Sequence, residues 1–538
     1  MTRRTPAEVL SNYAAGLSIN DHASPTASEK KPAPLSPVIT YKPTYPRAAS
    51  TSFSSTSSDM TQATTESDDS ISTACKPEDY IKPFCDFLTE NPTVFHAVDY
   101  FKKKLSSAGY KELSARDNWN GVVRPGGKYF ITRNGSSLIA FKVGKAYKPG
   151  NGIGMVCGHV DAVTAKLKPC SRKPAKAGYN QLGVAPYSSS LNETWWDRDL
   201  SIGGRVVVTD TETGVTSTKL VKIDWPVAKI PTLAVHFGKG LLGQQNKETQ
   251  AVPIVGLDTT HTAEAEEALG FEGSFINGQP AKLVRLIAKQ LGIADFNAIK
   301  DWELELYDSQ PAQLIGFDRD MISAGRIDDK LCSWPAIISL IASEDKPEDS
   351  YIKLVGVFDD EEVGSRLRQG AASNFIPTVV ERSLEALSGG PPGAGVLGQT
   401  YARSFVVSAD VSHAGNPNFL EQYLPDHIPK LNTGIVIAAD PNGHFITDSV
   451  STTILKRVAE ITSSKTQPFM IRNDSRSGGT IGPYLACLMG IRGADAGMPQ
   501  LSMHSIRATT GSQDPGLAVQ FFKGFLDNWE KLDNEWEY

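Results

Sequence analysis

The chain has 538 residues, a formal net charge of -6, 40% hydrophobic residues and 21% charged residues. That length exceeds what one ordinary core supports, so at least two folded units are expected, with the composition of a globular protein in water. The negative balance gives no electrostatic footing for a nucleic-acid partner or an anionic membrane surface. No apolar run of about 18 residues is present to span a bilayer.

In chain order, residues 1–19 contain TPAEVLSNYAAGL, where Val9, Leu10, Tyr13 and Leu17 fall at helical spacing behind a Thr-Pro start. This predicts a short amphipathic helix, read either as an incidental tail or as a targeting or assembly element. Residues 20–76 are dense in Ser, Thr and Pro and predict a disordered linker. The first 30 residues have no apolar h-region, so no secretory signal is expected there. The cysteines are Cys75, Cys85, Cys157, Cys170, Cys332 and Cys487. They show no CxxC pairing and read as buried free thiols of a reducing compartment.

Folded sequence is expected from Pro77. TVFHAVDYFKKKL places Val94, Val98, Phe101 and Leu105 on one helical face. KYFITRNGSSLIAF reads as two strands around an Asn-Gly turn. The apolar, β-branched runs GIGMVCGHVD, YIKLVGVFDDEEVGS and RSFVVSADVSH each end in polar residues. They alternate with helical stretches such as KLCSWPAIISLIA and GLAVQFFKGFLDNW, which predicts an α/β fold with a helix-covered mixed sheet. Residues 167–322 have a different texture, with the strand-like GRVVVTD and STKLVKIDW and one helix, AKLVRLIAKQLGI. They read as an inserted, smaller β-rich domain. The main unit is then 77–166 together with 323–538.

In α/β folds, active sites gather at the carboxyl ends of strands. His159, in GHVD, ends one such run, with Asp161 two residues on as a carboxylate able to hold the other ring nitrogen. Alone, this pair reads better as a satisfied core histidine than as a metal ligand. Asp328, in GRIDDKL, precedes a helix and alone would be read as an N-cap. Asp359, Asp360, Glu361 and Glu362 follow the strand KLVGVF directly, and four acids there repel one another unless cations offset them. Asp410 ends FVVSAD, with His413 three residues on, and LSMHSIR contributes His504. Together they form a set suited to a two-metal hydrolase. Two such metals lie about 3.5–4 Å apart and need mixed nitrogen and oxygen ligands, a bridging carboxylate and a base. His159, Asp328, Glu362, Asp410 and His504 supply the ligands, and Glu361 is free to move protons. Two imidazoles and three carboxylates suit zinc, with manganese or cobalt as substitutes.

The stretches GHVDAVTAKLKP, NETWWDRDLSIGGR, GRIDDKLCSW, DDEEVGSRLRQGA, SADVSHAGNPNF, SRSGGTIGP and QLSMHSIRATTGSQD resemble those of the aspartyl aminopeptidase family of di-zinc metallopeptidases, and its fungal vacuolar branch in particular. The resemblance runs in register from about Pro77 to the C-terminus. It implies an aminopeptidase acting on peptides, with two zinc ions per subunit. His159 and Asp410 would hold one metal, Glu362 and His504 the other, and Asp328 both. Glu361 would be the general base, Asp161 the partner that orients His159, and His413 a further donor to the oxyanion. His236 would reach a neighbouring subunit's active site within a tetrahedral dodecamer. The resemblance also implies delivery from the cytoplasm to the vacuole by an autophagy-like route, through a cargo receptor that recognises the N-terminal helix. A cytoplasmic enzyme with an incidental tail is the alternative.

Two departures bear on the substrate. Aspartyl-specific members carry a second histidine where Asn416 stands here, and a lysine where Ala438 stands. Without that cation, the expected first residue is neutral and aliphatic. Gly479, in SGGTIGP, offers backbone N–H groups to the substrate. A related deacylase or carboxypeptidase, an acidic preference, and a silent scaffold or autophagic cargo remain the competing readings.

Overall fold

In the computed structural model, residues 76–237, 245–258, 269–476 and 478–537 are described. The expected N-terminal helix and nearly all of the expected linker lie outside them.

A mixed nine-stranded sheet carries the main core. From one edge its strands are Lys111–Glu112, Lys128–Arg133, Ser137–Val143, Ile352–Phe358, Ile153–His159, Phe405–Ser408, Arg492–Gly497, Ile435–Ala438 and Thr466–Phe469. The four from Ile352–Phe358 to Arg492–Gly497 are parallel neighbours. The expected hairpin forms between Lys128–Arg133 and Ser137–Val143. Asn134 and Gly135 both take left-handed φ, of 58° and 68°, which is why that dipeptide makes the turn.

Side chains alternate across the sheet, so its central strands feed two cores. Val156, Val355 and Val357 pack on one face with the helices Val94–Ser107, Ile327–Ala342 and Asp514–Asn534. Met155, Cys157, Leu354 and Phe358 pack on the other with Phe375–Ser388 and Gly482–Met489. A sheet buried on both faces explains the continuous apolar runs that end in acids. Val94, Val98, Phe101 and Leu105 are buried, as their spacing predicts.

Between the strand Ile153–His159 and the helix Ile327–Ala342, the chain builds a second, antiparallel sheet. Its six strands run in the order Thr216–Lys222, Leu200–Thr209, Ile299–Asp308, Thr164–Arg172, Tyr179–Tyr187 and Ile254–Leu257. The helix Ala281–Leu291 buries Leu283, Val284, Ile287 and Ala288 against it. The chain returns through Met321–Ala324, which pairs with Ala508–Gly511 beside the His504 loop.

One expectation is corrected. Of the described cysteines, all five are free, but only Cys157 and Cys332 are buried; Cys170 and Cys487 are exposed. Cys170 lies where the strand Thr164–Arg172 runs out of the core, its burial dropping over its last residues. Cys75 is outside the described residues. No described helix is long and apolar enough to cross a membrane.

Candidate metal centre

Parallel register sets the depth of the site. Phe358 pairs with His159, while Ser408 pairs with Cys157, so two parallel strands end level and the third ends two residues earlier. Just past these ends the chain places Asp359–Glu362 and Asp410. Gly158 lets the layers close here: a Cβ on it would sit 2.7 Å from both Ala409 O and Asp329 Oδ2. Asp328 and Asp329 depart from helical φ/ψ at the start of Ile327–Ala342. Asp328 therefore projects into the cluster instead of capping the helix.

His159 is buried and ringed by carboxylates. Its Nε2 is 3.2 Å from Asp328 Oδ1, 3.7 Å from Asp410 Oδ1 and 4.0 Å from Glu361 Oε2. On the other side of Asp328, Oδ2 is 3.7 Å from His504 Nε2, which is 3.4 Å from Glu362 Oε2. The structure thus brings together two groups that could each hold a metal ion, His159–Asp328–Asp410 and Asp328–Glu362–His504, joined at Asp328. Asp161 lies behind them. It faces His159 Nδ1 at 3.1 Å, and accepts from Tyr187 Oη at 2.7 Å and from the backbone N–H groups of Glu361 and Glu362. A neutral ring that donates Nδ1–H to Asp161 would turn its Nε2 lone pair into the cluster.

The electrostatics are those of a site built for cations. Burial, with Asp410, Asp161 and Asp328 nearby, pushes the Glu361 carboxyl up to about 8 against the pull of His159. Burial and Asp328 hold Glu362 well above the carboxylate range, and burial and Asp328 raise Asp410. Burial and Asp161 lift Asp359 to about 7 and Asp360 to about 6. Burial works to lower His159, but Asp161, Asp328 and Asp410 outweigh it and hold it well above its ordinary value. Glu362 Oε1 and Asp329 Oδ1 are buried without a hydrogen-bond partner. Like charges and an orphaned carboxylate oxygen are what metal ions would neutralise.

The cluster opens into a cavity of about 260 Å3, one side of which His159, Asp328, Glu361, Glu362, Asp410 and His504 themselves line. His413, Ala438 and Gly479 line it, with Val436, Phe469 and Met503. The His413 ring centroid is 5.6 Å from that of Phe469, and burial lowers its pKa. No lysine or arginine lines the cavity among the described residues, and the buried carboxyl of Asp495 faces it. His236 lies in the exposed turn Val235–Phe237 and is not among the residues that line this cavity.

A family model described as aminopeptidase I zinc metalloprotease (M18) matches residues 87–526. The chain belongs to this family. It is 42% identical to vacuolar aminopeptidase 1 of Saccharomyces cerevisiae over 465 residues, covering 85% of this chain and 90% of the relative. It is 40% identical to aspartyl aminopeptidase 4 of the same yeast, covering 86% of this chain and 97% of the relative. The solved structure of Chaetomium thermophilum mApe1 is 57% identical and superposes with a TM-score of 0.80, covering 86% of this chain and all of that one.

The M18 zinc aminopeptidase family implies zinc, and the donor set fits it: each group offers one imidazole and two carboxylates. A pH prediction follows. In the metal-free protein Glu361, Asp359 and His159 all hold their protons to higher pH than when unfolded. The folded state therefore binds more protons than the unfolded one between about pH 5 and 8, and its stability falls as pH rises through that window. Calorimetry of metal-stripped protein is expected to show Tm falling from pH 5 to 8. The zinc-loaded protein is expected to show a shallower dependence, because cations then replace those protons.

Sequence reading missed several members of this site. Asp329 was passed over for its neighbour, although the pair of acids in IDDK was a usable signal. Tyr187, Ser188 and Ser189 sit in a Ser-rich stretch that resembles any loop.

Proposed function

We propose that this M18 aminopeptidase removes neutral, aliphatic N-terminal residues from peptides, using two metal ions and Glu361 as general base. The observation that carries the preference is the apolar wall of the cavity on which the cluster opens, formed by Val436, Ala438, Phe469, Ile471 and Met503, with no lysine or arginine lining it among the described residues. An aspartyl side chain against that wall would lose hydration without gaining a lysine or arginine partner, and Asp495 also lines the cavity.

His159 and Asp410 would hold one zinc, Glu362 and His504 the other, and Asp328 both. Bound zinc supplies Lewis-acid polarisation of the scissile carbonyl and a lowered pKa for water. Glu361 takes the proton from the attacking water and passes it to the leaving amine. His413, kept neutral by burial, offers a ring N–H to the developing oxyanion. Asp161 fixes the His159 ring throughout. His236 acts in a neighbouring subunit of a dodecamer; its exposed place beside Val235 and Phe237, themselves 79% and 78% exposed, supports an interface role. A vacuolar location is supported by the name of the 42% relative, and residues 1–19 would direct delivery there.

The test is hydrolysis of leucine and aspartate chromogenic amides side by side. Leucine turnover should dominate. Faster aspartate turnover would overturn the preference and favour the acidic specificity that the name of the 40% relative carries. Ala438→Lys is expected to raise the aspartate-to-leucine ratio of kcat/KM by about tenfold or more, the worth of one charge-assisted contact.

A further inference from the structure

The two histidines of the centre are held very differently. His159 ends a central strand, its side chain 2% exposed, with Asp161 on its ring and Asp329 Oδ2 accepting its backbone N–H at 3.2 Å. His504 sits on an irregular loop with φ of 62°, its side chain 43% exposed. The supports given for its side chain, its carbonyl and the loop just after it come from one segment of the six-stranded sheet, the turn that follows Tyr179–Tyr187. Ser189 Oγ is 3.0 Å from His504 Nδ1. Asn192 Nδ2 donates to His504 O at 3.0 Å and to Ser189 O at 3.1 Å. Thr194 Oγ1 accepts from the N–H of Ile506 at 3.0 Å. Ser188 Oγ donates to Glu362 Oε2 at 3.2 Å, so the same segment also touches the second ligand of this group.

We propose that Ser188–Thr194 is a strap by which the inserted sheet positions His504 and Glu362. It thereby sets the affinity of the metal they share with Asp328, while the metal of His159 and Asp410 is held independently of it. The proposal rests on the two-metal reading above. The physical reason is the imidazole's second nitrogen. With Nδ1–H donated to Ser189 Oγ, Nε2 presents its lone pair to the cluster in a fixed direction. Without that bond a ring on an exposed loop is free to rotate away, and the ordering cost falls on metal binding. Asn192 acts one step further back, holding the loop's carbonyl and the Ser189 backbone together. The His504-side metal is then the weaker of the two, and its retention depends on the seating of the inserted sheet.

Ser189→Ala removes the ring contact. Asn192→Asp removes both N–H donors but keeps the Oδ1 that accepts from Thr194 N–H. Full-length protein loaded with zinc is equilibrated with graded chelator, and zinc per chain is measured. Wild type is expected to release zinc in two steps. Each variant should release its first zinc at a chelator concentration about 10–100-fold lower, with the second step unmoved. Added zinc should restore turnover with KM unchanged. Both steps shifting together, or neither shifting, overturns the strap while leaving the two-metal reading intact. A wild type that binds fewer than two zinc ions overturns both.

Discussion

Glu361→Gln is expected to lower leucyl-amide turnover on the order of a hundred- to ten-thousand-fold, the usual worth of a general base, while zinc content stays at the wild-type value. Glutamine keeps the shape and the hydrogen-bonding ability of Glu361 but accepts no proton. Glu361 Oε2 is 4.0 Å from His159 Nε2 and belongs to neither ligand group, so its loss leaves both donor sets whole. Burial among Asp410, Asp161 and Asp328 has raised its carboxyl to about 8. Bound cations offset that repulsion, bringing the group toward the range in which it takes a proton near neutral pH and gives it back. Metal analysis beside the kinetics decides the point. A variant that loses zinc in proportion to activity would make Glu361 a ligand, and the base would have to be sought elsewhere.

Asp328→Ala is expected to remove both zinc ions and bring turnover to background, whereas His504→Ala should leave one zinc behind. Asp328 is the member common to both ligand groups, its two oxygens facing His159 at 3.2 Å and His504 at 3.7 Å. Among the described residues, Asp328 is the carboxylate within 4.0 Å of both imidazoles, whereas Glu361 and Asp410 approach His159 and Glu362 approaches His504. Thermal scans should show added zinc raising the Tm of wild type well above that of Asp328→Ala, because only the wild type keeps the donor that both groups share. A variant that still holds two zinc ions per chain would show that Asp328 does not bridge them.

Much of the catalytic half was legible because its chemistry lies next to its strongest pattern. Strands buried on both faces are written as unbroken apolar runs. Residues that must emerge at their carboxyl ends are therefore the first polar letters after each run: His159, Asp359–Glu362 and Asp410. Asp161 followed from sequence adjacency to His159. His504 was reached by the same logic after a short apolar run, although its loop is irregular. The hairpin at Asn134–Gly135 and the helix over Val94–Ser107 were equally plain, being local patterns with a local cause.

The sequence by itself determined the class of fold, the family and the residue types gathered at the site, because each is encoded over a few neighbouring positions. Only the tertiary structure decided how those residues face one another. Asp328 projects between two imidazoles because the start of its helix is not helical. The apolar wall of the cavity is assembled from Val436, Ala438, Phe469 and Met503 on separate segments. Ser189 and Asn192 meet His504 across 315 and 312 positions of chain. A hydrogen bond closed over that separation leaves no periodicity or spacing behind, since its geometry is set by how two sheets pack and not by the residues on either side of it.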